Sequence, residues 1–312
     1  MHNNSYAATD KSFPSTDKSE NNHTTGYTSL SLPQISLPKG GGAIRSIDDK
    51  FSVNAVNGTA GFSIPFPFSA SRNGFMPQMT LSYNSGSGNG NFGLGWHAEP
   101  SCIVRRTDKK LPQYNDADES DIFVFSGTED LVSLYKKDGS GNWIKDSYVT
   151  NGITITRYRP RIEGSFARIE KITEASGNIY WKVTSSANVV SIFGKSQSAQ
   201  IYDPADPTKI FKWLFEFSYD DKGNCFQFEY KKEDKVNVPD ELHERNRLND
   251  LSTCTNSYLK RIKYCNKVHF NRNSIDFLNW KNFLQNIDYL LELVLDYGEH
   301  DTINPQPNDD KS

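Results

Sequence analysis

A glycine-rich run from Gly86 to Gly95 is the feature that most constrains how this chain folds. Just before it, Met79, Leu81 and Tyr83 alternate with polar residues, which is the pattern of a β-strand with one buried face. Each glycine loses much backbone freedom on folding, so the run itself is predicted to be a loop rather than a helix or a strand. Trp96 then returns the chain to the core. The stretch predicts architecture and contains no catalytic residue.

Short alternating segments continue along most of the chain, separated by turn residues at intervals of about 8–12 residues. The clearest hairpin joins residues 210–219 to 224–230 through the turn 220–224, and a similar unit surrounds Gly177 and Asn178. Pro239 is placed to open a short helix, and residues 277–285 carry aromatic side chains at helical spacing. We therefore predict an all-β fold of mainly antiparallel sheets, sandwich-like or shell-like, with one or two short helices near the C-terminus.

Composition divides the chain into four parts. The predicted parts are a disordered leader (1–40), an N-terminal β lobe (41–165), a C-terminal β lobe with short helices (166–301) and a linker or truncated end (302–312). The leader has too few large apolar side chains to offset its ordering entropy. Near its end, Leu30, Leu32, Ile35 and Leu37 are predicted to dock as an extended segment.

Charge and hydropathy exclude several classes of function. A net charge of −3 argues against a nucleic-acid partner, which needs a clustered basic surface. No run of about 18 apolar residues is present, and the polar N-terminus does not resemble a secretory signal peptide. The four cysteines lie far apart without metal or disulfide spacing, which predicts reduced and mostly buried thiols.

Three short motifs match functional signatures only in part. Gly88, Gly90 and Gly93 fit the dinucleotide fingerprint, but no helix can follow them to hold a pyrophosphate. His97-Ala98-Glu99 resembles half of a zinc deaminase signature and lacks the cysteine half. The acidic run 116–121 lacks the glycine and the terminal glutamate of a calcium loop, so it is predicted to be a solvated acidic loop. We predict no catalytic residue, no cofactor and no metal ligand.

Several motifs, in order along the chain, resemble the opening module of the Salmonella virulence plasmid B (SpvB-like) family, which also begins the B components of insecticidal Tc toxin complexes. They include 83–86, 93–96, 111–115, 193–194 and 296–300, and the similarity runs from about Leu37 to His300. The residues that carry it as a structural motif are Tyr83, Gly93, Gly95, Trp96, Tyr114, Trp181, Gly194, Tyr297 and Gly298.

The resemblance implies a β-rich structural module of a secreted toxin or virulence protein, made in the bacterial cytoplasm and exported by a non-classical route. In Tc B components, a propeller and an Rhs-type shell follow the module and, with the C component, enclose a toxic enzyme. These elements and an A-type pore subunit are the partners that the resemblance implies. The ADP-ribosyltransferase of the family is a separate domain with a Glu-x-Glu pair, and no two glutamates of this chain stand two apart.

Two other hypotheses stay open from the residues alone. The chain could be a carbohydrate- or surface-binding β module, for which exposed Trp and Tyr pairs near acidic loops would be evidence. It could also be an enzyme whose site the sequence does not reveal, which would require a pocket with converging titratable groups.

Overall fold

The computed structural model describes residues 50–54, 56–126, 129–235, 238–250 and 254–297. The predicted leader and the predicted terminal linker lie outside these residues, as does Gly298. The strands are β1 Lys50–Asn54, β2 Thr59–Pro65, β3 Thr80–Asn84, β4 Asn89–Gly90, β5 Gly93–Leu94, β6 Trp96–His97, β7 Cys102–Arg105, β8 Phe123–Phe125, β9 Glu129–Ser133, β10 Tyr135–Lys137, β11 Trp143–Lys145, β12 Ser147–Thr150, β13 Ile153–Pro160, β14 Arg168–Thr173, β15 Ile179–Thr184, β16 Val190–Phe193, β17 Gln200–Asp203, β18 Asp206–Tyr219, β19 Cys225–Lys232, β20 Ser257–Asn266 and β21 Tyr289–Val294. Two short helices, α1 Arg245–Asn249 and α2 Trp280–Gln285, lie toward the C-terminus.

The predicted fold class is confirmed: strands dominate, their pairings are antiparallel, and the described helices are short and near the C-terminus. Neither helix in the described part of the chain has the length and hydropathy needed to cross a bilayer. Two local predictions were wrong. The glycine-rich run holds a two-residue ladder between β4 and β5, and α1 begins at Arg245 rather than at Pro239.

Eight strands form a barrel-like sheet that closes on itself, called here the closed sheet. Its order is β16, β15, β14, β13, β9, β8, β7 and β18, and β18 pairs back onto β16. Three further strands, β19, β20 and β21, continue outward from β18 and are called the wing. A separate four-stranded sheet has the order β1, β2, β3 and β6.

The long strand β18 joins these parts because its two halves have different neighbours. Its first half pairs with β17 on one side, and residues 212–214 pair with β7 on the other. Its last residues pair with β16 and β19. A shift of register between Ile192 and Phe193 accompanies the closure, as expected where a sheet bends.

Four tight hairpins have the same type of five-residue turn. In each turn, the N–H of the first residue donates a hydrogen bond to the carbonyl of the fifth. In the turns 138–142, 174–178 and 220–224 the fourth residue is a glycine at positive φ and the fifth is asparagine. In the turn 185–189 the fourth residue is Asn188, at φ 59°. The left-handed fourth residue makes the turn twist with its flanking strands. The predicted turns at Gly177 and at 220–224 are thereby confirmed.

The closed sheet has a core on each face. The inner core includes Ile103, Trp181 and Trp213 and continues over the wing to Phe226 and Phe228. The outer core lies against α2 and the residues around it, and it is made of Ile172, Tyr180, Ile192, Phe217, Tyr219, Cys225, Phe270 and Trp280. Successive residues of a strand point to opposite faces, which is why Tyr180 and Trp181 belong to different cores.

The predicted division between residues 165 and 166 falls between β13 and β14. These two strands pair with each other over residues 154–158 and 169–173, and both belong to the closed sheet. Side chains from both sides of the division meet in the inner core, where the Phe123 ring lies 4.9 Å from that of Trp181.

Candidate functional site

The eight described motif residues lie in three parts of the structure. Tyr114, Trp181 and Gly194 lie in or against the closed sheet, whereas Tyr83, Gly93, Gly95 and Trp96 lie in and next to the four-stranded sheet. Tyr297 follows the wing. The sequence places all of them in one motif set, and the structure separates them by their sheet.

Trp181 stands at the centre of the inner core and is fully buried. Its ring packs edge-on against Phe123 at 4.9 Å, Tyr158 at 5.0 Å and Trp213 at 5.9 Å between centroids. Such edge-to-face pairs contribute about 0.5–1.5 kcal/mol beyond the apolar area that they bury. Burial also raises the pKa of the Tyr158 phenol to about 12, so this residue stays neutral. The interior of the closed sheet is thus filled with aromatic side chains.

Gly194 follows β16 and lies against the edge of the Trp213 ring. Its N–H donates to the Leu214 carbonyl at 2.8 Å, and its own carbonyl accepts from Gln200 at 2.6 Å. Its φ is 62°, and a Cβ here would stand 2.5 Å from Trp213 Cδ1. Both the backbone conformation and the space require glycine at this position.

A buried arginine lies near the inner core, where the loop between β7 and β8 meets it. The side chain of Arg105 is 2% exposed and donates to Asp116 at 2.6 Å, to Asp121 at 2.9 Å and to the Ile210 carbonyl at 2.8 Å. The Tyr114 ring lies 4.9 Å from its guanidinium carbon. Arg105 therefore ties the loop 106–122 to the closed sheet.

Lys171 completes this network from β14, with its ammonium 2.9 Å from Asp116. Burial alone would raise the pKa of the Asp116 carboxyl, but the Arg105 hydrogen bond and the charge of Lys171 outweigh it and lower that pKa. Burial would also raise the pKa of the Asp121 carboxyl. The hydrogen bonds from the Gln113 and Tyr114 amides, together with Arg105, outweigh this effect and lower that pKa. Both aspartates are therefore held as anions.

The prediction of a solvated acidic loop at 116–121 was wrong for two of its carboxylates. The Asp121 side chain is 2% exposed and that of Asp116 is 18% exposed. A carboxylate can be buried this far only with cationic and N–H partners, and the structure supplies both. Among the residues that the structure describes, no group of three or more His, Cys, Asp and Glu side chains is placed to hold a metal ion.

Another buried carboxylate, that of Glu216, holds the outer layer to β18. One oxygen accepts from the Lys195 and Ser196 amides at 2.8 and 2.9 Å, and the other accepts from the Trp280 indole at 2.8 Å. No cation pairs with it in the described contacts, and burial raises its pKa above the usual value. Glu216 thus links α2 to the closed sheet.

Tyr83 and Trp96 face each other across β3 and β6, with ring centroids 5.1 Å apart. Gly95 lets them approach, because its φ is 79° and a Cβ there would stand 2.6 Å from the Tyr83 ring. Tyr297 stacks on Phe92 at 5.6 Å and donates to the Leu259 carbonyl at 2.9 Å. Gly93, at φ 105°, forms the turn side of the β4–β5 ladder.

The partial signatures do not form sites in the structure. The residues after Gly93 enter β5 and β6, so no helix is available for a dinucleotide phosphate. Glu99 is paired with Lys212 at 2.9 Å. The cysteines of the described chain are free, with Cys102 and Cys225 buried and the other two half-buried.

A polar cleft of about 530 Å³ lies between the wing and α1 and is lined by Tyr230, Tyr258 and Tyr297 among others. Three pairs of its charged side chains are in contact: Lys212 with Glu99, Lys231 with Asp234 at 2.7 Å, and Arg247 with Glu233 at 2.7 Å. The Lys232 ammonium, which also lines the cleft, donates instead to the Gln200 carbonyl at 3.1 Å and lies 4.6 Å from the centroid of the Tyr202 ring.

Sequence reasoning missed Arg105, Lys171 and Glu216. A signal was present, since Arg105 and Lys171 stand two residues after the buried Ile103 and Ile169 and so face inward. The pattern could not say which carboxylates would meet them.

Comparison with known proteins gives consistent results. The model of the family described as Salmonella virulence plasmid 65kDa B protein (SpvB) matches residues 54–312. The chain is 33% identical to the mono(ADP-ribosyl)transferase SpvB of Salmonella typhimurium over 290 residues, which cover 90% of this chain and 46% of that protein. The Salmonella dublin protein of the same name gives the same identity and coverage. The chain therefore spans about half the length of these curated relatives.

Solved structures show the same similarity. The N-terminal domain of the effector protein SpvB from Salmonella typhimurium strain LT2 superposes with a TM-score of 0.64 at 31% identity, covering 78% of this chain and 75% of that one. The structure of TcdB2-TccC3 gives a TM-score of 0.65 at 30% identity, covering 87% of this chain and 13% of that one. The Photorhabdus luminescens Tc holotoxin pore gives a TM-score of 0.65 at 30% identity.

Proposed function

The chain belongs to the Salmonella virulence plasmid 65kDa B protein (SpvB) family, and we propose that it is a non-catalytic scaffold module of a secreted toxin or virulence protein. It packs against neighbouring domains that enclose or deliver a toxic effector. The observation that carries the proposal is that the same fold forms 13% of the TcdB2-TccC3 chain and, separately, the N-terminal domain of an effector.

The interior of the closed sheet supports a structural role. Trp181, Trp213 and the Arg105 network fill it, which leaves rigid walls rather than a reaction chamber. The relatives named as transferases are about twice as long as the matched part, so their transferase activity is assigned to the part that this chain does not match. Its proposed partners are the other parts of such a toxin complex, namely propeller and Rhs-type domains and a pore subunit, and its proposed destination is outside the bacterial cell.

A domain exchange tests this function. In TcdB2-TccC3, the matching segment is replaced by residues 50–297 of this chain, and the product is examined by mass photometry, electron microscopy and limited proteolysis. We expect a particle of the parental size with the same protease resistance. A matched control carries Trp181→Ala, which should unfold the module and prevent assembly.

A correctly folded insert that does not assemble would contradict the scaffold proposal. A glycan array with the full chain then examines carbohydrate binding, and an NAD hydrolysis assay examines catalysis. Specific glycan capture would favour the recognition module, and turnover above that of heat-treated protein would identify an enzyme.

A further inference from the structure

A buried lysine, Lys195, lies just after β16 on the outer side of the closed sheet. Its side chain is 6% exposed, and its ammonium nitrogen lies 4.9 Å from the centroid of the Tyr180 ring, which belongs to the outer core. The same nitrogen donates to Glu174 Oε1 at 2.5 Å. A lysine is seldom buried this far, because its ammonium group loses most of its hydration.

The second oxygen of the same carboxylate contacts Asn178. The Asn178 Nδ2 donates to Glu174 Oε2 at 3.2 Å and to the Lys195 carbonyl at 3.2 Å. The Glu174 carboxylate therefore contacts both the amine of Lys195 and the carboxamide of Asn178. Asn178 directly precedes β15, and β15 pairs with β16, so the two side chains come from neighbouring strand ends.

The carbonyl of this carboxamide is polarised by a fixed donor. Asn178 Oδ1 accepts a hydrogen bond at 3.0 Å from Nε2 of Gln200, a residue that is 2% exposed. The same nitrogen contacts the carbonyls of Gly194 at 2.6 Å and Ile179 at 3.2 Å, which hold it in place. A donor fixed at a carbonyl oxygen stabilises the negative charge that develops there when a nucleophile adds to the carbon.

The equivalent turns show which part of this arrangement is ordinary. In the turns 138–142 and 220–224, the side-chain amide of the asparagine also donates to the carboxylate of the first residue, at 3.4 and 2.7 Å. The contact between Glu174 and Asn178 thus belongs to the turn. In those two turns the carboxylate also accepts from backbone amides of the turn, whereas Glu174 accepts from the buried amine of Lys195.

We propose that Lys195 and Asn178 join through an isopeptide bond, an amide between their side chains, with Glu174 as the proton carrier. The Lys195 ammonium gives a proton to the Glu174 carboxylate, and the freed Nζ adds to Asn178 Cγ while Gln200 holds the charge on Oδ1. The Cγ–Nδ2 bond then breaks, and Nδ2 receives the Glu174 proton and a second proton from Nζ. The products are one amide and one ammonium ion, so atoms and charge balance without an oxidant or another reactant.

Burial favours the first of these proton transfers. Loss of hydration disfavours a pair of charges, so a neutral amine and a neutral carboxylic acid lie closer in free energy to the ion pair in a buried site than in water. The neutral amine is the nucleophilic form of lysine, and enzymes that use a lysine nucleophile activate it by desolvation in the same way.

The bond would fasten one end of the hairpin formed by β15 and β16. The turn 185–189 already joins these strands at the other end. β16 is also the strand that pairs with β18 and closes the sheet. A covalent link between residues 178 and 195 restricts the unfolded chain as a disulfide does, and it would hold in reducing and oxidising surroundings alike.

Mass spectrometry of the full chain under denaturing and reducing conditions tests this inference. The intact mass should be lower than the sequence mass by one ammonia. Trypsin should then fail to cut after Lys195 and should release one branched peptide that joins residues 172–182 to residues 183–209. A loss of ammonia confined to one of these peptides would identify a cyclic imide of an asparagine and would overturn the proposal.

Three variants and one control assign the roles. Lys195→Arg and Glu174→Gln should each restore the full sequence mass, because they remove the nucleophile and the proton carrier. Asn178→Asp should still form the bond, with loss of water in place of ammonia. The matched control, Asn142→Ala, changes the corresponding asparagine of the turn 138–142 and should keep the loss of ammonia.

The unsubstituted chain decides the question even if a variant fails to fold. A chain that circular dichroism shows to be folded, with its full sequence mass and complete cleavage after Lys195, would overturn the proposal. A loss of ammonia that persists in folded Lys195→Arg would also overturn it, because the bond cannot form without the lysine amine.

Discussion

Replacement of Arg105 by methionine tests how the loop between β7 and β8 is held. The substitution keeps most of the side-chain volume and removes the charge and three hydrogen bonds, to Asp116, Asp121 and the Ile210 carbonyl. Asp116 keeps Lys171 at 2.9 Å, but Asp121 loses its cation while its side chain is only 2% exposed. Removing one partner of a buried ion pair costs about 3–5 kcal/mol, and we expect a loss of that size in the free energy of unfolding.

The adjacent Arg106 provides the matched control. Its side chain is 31% exposed, and it pairs with Asp108, which is 52% exposed, and with Asp130. Ion pairs in such an environment contribute about 0–1 kcal/mol, so Arg106→Met should change stability by no more than that.

Urea unfolding at pH 7, followed by circular dichroism and tryptophan fluorescence, measures both variants. The deficit of Arg105→Met should persist in 1 M NaCl, because salt screens exposed pairs far more than buried ones. Equal, small losses for Arg105→Met and Arg106→Met would refute the argument that the buried network fixes the loop.

Three further predictions concern the fold. Gly194→Ala should cost about 2 kcal/mol or more through its positive φ and its contact with Trp213, whereas Gly139→Ala, in open space, should stay within about 0.5 kcal/mol; equal melting temperatures would contradict this. Because the folded pKa of Glu216 is raised, the free energy of unfolding should rise as pH falls from 7 toward 4.5, and Glu216→Gln should remove this rise. Because the folded pKa of Asp121 is lowered, the free energy of unfolding should then fall below about pH 3.8. A flat pH profile in the unsubstituted chain would contradict both expectations. Thermal unfolding should show a single transition, since strands from both sides of residue 165 build the closed sheet, and two calorimetric peaks would indicate separate lobes.

The two parts of the candidate site differ in how far the sequence could predict them. Tyr83, Gly95 and Trp96 lie close together in the chain, and their strand and loop signals are local, so their role in a sheet and its turn could be anticipated. The partnership of Gly194 with Trp213 could not, because a glycine gives no signal of the ring that lies against it. The same holds for Arg105, whose aspartate partners were predicted to face solvent.

Local chemistry by itself determined that this chain forms short antiparallel strands joined by tight turns. The alternation of apolar and polar residues along a strand and the glycine-asparagine turns are properties of neighbouring residues in the chain. The hairpin around 220–224 follows from these two local signals. Only the tertiary structure decided that the sheet closes, because closure requires Trp213 to pair with Ile103 and Ile192 with Phe217, far apart in sequence. Alternation specifies which face of a strand is buried but not which strand lies beside it, and the partners of the buried charges depend on that choice.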